Sequence, residues 1–120
     1  MKRCALLGLF LLVVTGCHND DQQSVETLTE SLEDDDPNVR YSAAKALGKY
    51  GPEATAAVPA LADALQDQDS DVRMGAAYAL AKIGPDAEDA VPALQAALKD
   101  KNKDVREAAD YALKQIQAHK

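Results

Sequence analysis

Metal binding or nucleophilic catalysis would need histidines, cysteines or clustered carboxylates, and the chain brings few of these together. Its histidines are His18 and His119, and its cysteines are Cys4 and Cys17. Neither histidine lies in a segment with apolar periodicity that would hold its ring, so no zinc site or His-assisted nucleophile is expected. Four successive acids, Glu33-Asp34-Asp35-Asp36, offer the hard oxygen ligands that Ca²⁺ takes. The same run also reads as a solvated turn ending in a helix N-cap. The residues therefore name no catalytic group, no metal site and no cofactor.

Composition narrows the partners. With 13 basic and 20 acidic residues in 120, the net charge is −7. Such a chain repels phosphate backbones, so nucleic acid is not an expected partner. Only one Phe and four Tyr supply aromatic bulk, and Phe10 falls in the leader described next. The core must be aliphatic and rich in Ala.

The leader reads "MKRCALLGLFLLVVTGC". Lys2 and Arg3 precede a short apolar run from Cys4 to Val14, well below the roughly 20 residues of a spanning helix. A charged start followed by a short apolar run is the pattern of a secretory signal peptide. Val14-Thr15-Gly16-Cys17 resembles the lipobox of bacterial lipoproteins. That resemblance implies cleavage after residue 16, lipidation of Cys17, and export to the cell envelope. Because His18 is not the Asp of the inner-membrane retention signal, it further implies the periplasmic side of the outer membrane in a diderm host. Residues 17–24 would form the lipidated Cys and a polar tether, spanning about 15 Å.

The rest of the chain repeats itself at a spacing of 33. Val39, Val72 and Val105 recur at that offset, as do Leu28, Leu61 and Leu94, and Leu47, Leu80 and Leu113. A period carried by so many columns marks a repeat array. Each unit reads as two helices. The first, as in Val58 to Gln66, has apolar residues at 58, 61, 62 and 65, with Pro59 in its first turn. The second buries Val72, Ala76, Ala79, Leu80 and Ile83, with Asp36 or Ser70 as N-cap and Gly51-Pro52 or Gly84-Pro85 as stop. The expected architecture is all-α, a short α-solenoid of three helical hairpins at 25–51, 58–84 and 91–117, within a domain spanning 25–119. A single hairpin cannot bury its own apolar face, and three can.

The phrase "DDDPNVRYSAAKALGKYG", with its echoes at Asp71 and Asp104, resembles short HEAT-like repeats, the kind also found in phycobilisome lyases. The resemblance covers Val25 to Gln117. It implies a ladder of turn acids and following arginines along the stack: Asp34 with Arg40, Asp67 with Arg73, and Asp100 with Arg106. A recurring Arg beside an acid can also be read as a ligand clamp, but recurrence in every unit favours a structural part. HEAT-like oxygenases hold iron with His-Glu pairs, and none occurs here. Lyase-type members bind a tetrapyrrole in the cytosol, whereas the lipobox resemblance implies that this chain is exported.

Surface columns remain. Positions 41/74/107 and 45/78/111 of the second helices flank the buried stripe and hold Tyr41, Met74, Glu107, Lys45, Tyr78 and Tyr111. By resemblance, second helices line the concave face of such arrays, where partners bind. Tyr and Met favour interfaces. Tyr41 is expected to be exposed; Tyr78 and Tyr111 either face a partner or pack between helices. Lys49 and Lys82 flank the stripe and suit an acidic rim. Gly75 is either a close-approach point or a tolerated helix glycine. The expectation is a non-catalytic, membrane-anchored lipoprotein whose repeat scaffold binds a protein. A structural or assembly subunit of an envelope complex is the alternative, and a lyase or isomerase a more distant one.

Overall fold

The computed structural model describes residues 24–118. The leader, Cys17, His18 and His119 lie outside the described residues. Among the described residues six α-helices follow in order: α1 (Val25–Ser31), α2 (Pro37–Tyr50), α3 (Val58–Ala64), α4 (Ser70–Ile83), α5 (Val91–Ala97) and α6 (Lys103–Gln117). Two 3₁₀ segments, Gly51–Ala57 and Gly84–Ala90, carry the chain from α2 to α3 and from α4 to α5. The longer helices α2, α4 and α6 pack side by side as one layer, and α1, α3 and α5 back it. This is the expected α-solenoid of helical hairpins.

Local chemistry sets each boundary. Asp36, Asp69 and Asn102 sit in extended backbone and accept the first free N–H groups of α2, α4 and α6. The cap of α4 is thus Asp69, one residue before the expected Ser70. Ser70 is already helical, so its hydroxyl stands too late in the chain to cap. At the other end, Gly51 and Gly84 take φ of 60° and 79°, a region that side-chain-bearing residues avoid. They stop α2 and α4, and the prolines that follow lead into 3₁₀ turns rather than open loops. Pro59 and Pro92 occupy first turns of α3 and α5, where a missing N–H costs little.

The core is the predicted aliphatic one. Leu47, Leu61, Leu80, Ile83, Leu94, Ile116, Val72 and Val105 are its largest fully buried members, with Ala filling between them. Val72, Ala76, Ala79, Leu80 and Ile83 are all buried. Removing one such Leu side chain would cost about 2–5 kcal/mol, a large share of the stability of a domain this size.

Candidate functional site

The ladder at the hairpin turns is built, and its rungs cross between units. Arg40 donates from Nε to Asp67 Oδ2 at 2.8 Å and from Nη2 to Asp67 Oδ1 at 3.0 Å. Arg73 does the same to Asp100, at 2.8 and 3.1 Å. Within its own unit each Arg reaches a carbonyl instead: Arg40 Nη1 meets Asp34 O, Arg73 Nη1 meets Asp67 O, and Arg106 Nη1 meets Asp100 O, all at 2.7 Å. The side-chain pairing implied within units, Asp34 with Arg40 and so on, is therefore corrected to Arg40–Asp67 and Arg73–Asp100. The reason is geometric. The Asp67 and Asp100 carboxylates each accept the N–H two residues on, from Asp69 and Asn102, and in that orientation meet the arginine of the preceding unit.

These contacts are bidentate and largely withdrawn from solvent, with Arg73 buried, which fixes register more than it adds stability. Burial opposes ionisation of Asp100, but the Asn102 N–H and the Arg73 guanidinium outweigh it and hold its carboxyl below the usual value. Asp34 and Arg106 end the ladder. Among the described residues neither has a side-chain partner across a unit boundary. The open depression over the first two turns measures about 740 Å³, yet its one cation, Arg40, is already bonded to Asp67. No group of three or more His, Cys, Asp or Glu among the described residues is placed to hold a metal. In the acidic run, Asp34 and Asp36 accept backbone N–H groups.

The face of the second-helix layer is different in kind. Between α2 and α4 runs a groove of about 320 Å³. Ala44, Gly48, Gly75 and Ala79 form its floor, Tyr41, Met74 and Tyr78 its sides, and Lys45, Lys49 and Lys82 its rim. Both floor glycines are there for space. A Cβ on Gly48 would lie 3.2 Å from Ala79 Cα, and one on Gly75 would lie 3.0 Å from Tyr41 Cδ1. Gly75 is thus a close-approach point, and it seats the Tyr41 ring. Tyr41 is for that reason half-buried rather than exposed as expected. Lys45 Nζ sits 5.4 Å from the centre of the same ring, within cation–π range.

Of the six candidate binding residues, four meet at this groove: Tyr41, Lys45, Met74 and Tyr78. Tyr78 also meets the fifth, with the Tyr78 and Tyr111 rings 5.9 Å apart and tilted by 55°. Both rings keep over two-fifths of their surface open. Glu107 stands apart, paired with Lys103 at 3.7 Å. The floor glycine Gly48 carries no mark of its role in the sequence, because only a neighbouring helix gives an absent Cβ its meaning.

Comparison with known proteins agrees with this geometry. The family model described as HEAT repeats matches residues 11–58 and 52–114. Three solved structures show the same fold. The phycocyanin lyase CpcE–CpcF complex of Nostoc sp. PCC7120 has 35% identity and a TM-score of 0.73 over 86% of this chain and 41% of that one. Human deoxyhypusine hydroxylase, solved with glycerol, has 34% identity and a TM-score of 0.68 over 80% and 32%. An engineered protein has 34% identity and a TM-score of 0.67 over 78% and 45%. The chain thus spans less than half the length of each. A search of curated proteins gives no match. Crossed rungs, repeated hairpins and the family match agree, and the chain belongs to the HEAT-repeat family.

Proposed function

We propose that this protein is a lipid-anchored, non-catalytic scaffold that holds a protein partner on its second-helix face. The α2/α4 groove carries this reading: an apolar floor, the exposed Tyr78 beside the half-buried Tyr41, and three exposed lysines sit together on packed helices. The mechanism is rigid presentation. Ordered helices offer the patch without an ordering cost at binding, and a tether from Cys17 keeps it near the membrane. The similar phycocyanin lyase works as a complex of two proteins, CpcE and CpcF, which supports a protein partner here. The lyase and hydroxylase names keep a catalytic reading in view, but no residue cluster described above supplies an acid, base or metal ligand for it.

Replacing Tyr41, Tyr78 and Tyr111 together by Ala is expected to abolish partner recovery while leaving the helical circular dichroism intact. Recovery at full yield would remove the second-helix face from consideration. For the anchor, intact mass from the membrane fraction should show a chain starting at Cys17 with added acyl mass, and a bare Cys17 terminus would refute lipidation. The structural-subunit alternative has its own observation. Between α1 and α2, Leu28, Val39, Ala43 and Ala46, with Ser31, Asn38 and Ser42, line a mixed hollow of about 410 Å³ among the described residues. If the tyrosine variant keeps its partner, this hollow is the next surface to mutate.

A further inference from the structure

We infer that the α2/α4 groove takes an acidic segment of the partner, with one apolar side chain on the Gly48–Gly75 floor and carboxylates against Lys45, Lys49 and Lys82. This rests on the reading that the second-helix face binds a protein, and it names the chemistry of that protein.

Charge complementarity carries the argument. The chain has a net charge of −7, yet no carboxylate lines this groove and three ammonium groups do. Lys45 and Lys49 are one turn apart on α2, and Lys82 faces them from α4. Among the described residues no ion pair holds any of the three, whereas on α6 Lys103 and Lys114 are both paired to acids. Lys45 is instead steadied over the Tyr41 ring. The floor between them is apolar and narrow. At about 30 Å³ per water the groove holds on the order of ten, enough for one large side chain and too little for a folded edge. Displacing water from such a floor favours an apolar group. Exposed lysines add little affinity each but steer encounter and choose among partners.

Peptides selected from an unbiased display library against the purified full-length protein provide the test. Enriched peptides are expected to combine Asp or Glu with a Leu, Phe or Trp. The triple variant K45E/K49E/K82E, all surface positions, should bind them at least tenfold more weakly, and each single Lys→Gln about threefold more weakly. Raising NaCl should weaken them too. Neutral or basic peptides that ignore the lysine variants but are lost with Tyr41→Ala and Tyr78→Ala would overturn the acidic partner and leave the binding face standing. Peptides indifferent to both sets, or a library with no groove-dependent peptide, would overturn both. Displacement by inorganic phosphate beyond that by NaCl of equal ionic strength, or binding of anionic vesicles in place of peptides, would also overturn the inference.

Discussion

Between α2 and α4 the surface columns read Tyr41–Met74, Lys45–Tyr78 and Lys49–Lys82; 33 residues on, between α4 and α6, they read Met74–Glu107, Tyr78–Tyr111 and Lys82–Gln115. Both seams share a bidentate rung at the turn edge and a buried aliphatic layer beneath. At the face they part. The first seam has lysine rims over a glycine floor, and the second is bridged by two tyrosine rings and carries a Glu already paired. What repeats is what holds units together, and what diverges is what the surface offers. A repeat protein can alter the second without touching the first.

The largest expected effect comes from breaking what the seams share. Arg73→Met should cost about 2–3 kcal/mol in urea unfolding, since it strips a half-buried Asp100 of its partner while some solvent contact remains. The same variant should flatten the acid limb of stability. The Asp100 carboxyl is depressed below its ordinary 3.8, so its contribution is full above that pH and fades as pH falls further. A wild-type loss of stability as pH falls below 3.8 that survives unchanged in the variant would contradict the rung's role.

A smaller effect separates the seams. Gly48→Ala gains about 1 kcal/mol in helix propensity, but its Cβ meets the Ala79 backbone at 3.2 Å and forces α2 from α4. Overpacking of this kind costs about 1–3 kcal/mol, so a net loss of about 1 kcal/mol is expected. In the second seam the same column holds the buried Ala81. There the reverse change, Ala81→Gly, should also lose about 1 kcal/mol, through propensity. Gain of stability by Gly48→Ala would mean that the first seam is no tighter than the second.

The smallest effect is the ring pair. Tyr78→Ala, Tyr111→Ala and the double variant should show a coupling of about 0.5–1 kcal/mol. Tyr41 with Tyr111, a pair from different seams, should show none.

Much of this was legible in the sequence. The period of 33, the apolar stripes and the Gly-Pro stops specify hairpins, since each is a local or periodic signal. Rung pairing was not, because Asp and Arg six apart in one unit and twenty-seven apart across two are equally spaced in type. Only the turn bond from Asp69 to Asp67 shows which way the carboxylate points. The half-burial of Tyr41 was hidden likewise, since it depends on a missing Cβ on the next helix. Four of six surface candidates converge because stacked repeats carry a column across a face.

The two ends of the stack differ in how the array can lengthen. Ala44 and Gly48 lie against α4, and one period on Ala77 and Ala81 are likewise buried. One more period brings Asp110 and Lys114, exposed and bonded to each other at 3.0 Å. A duplicate of 52–84 placed before Pro85 would meet Ala, Gly, Asp and Arg in register on both sides. Duplication inside the array keeps these contacts, whereas a unit packed against the outer face of α6 would have to desolvate two charged side chains.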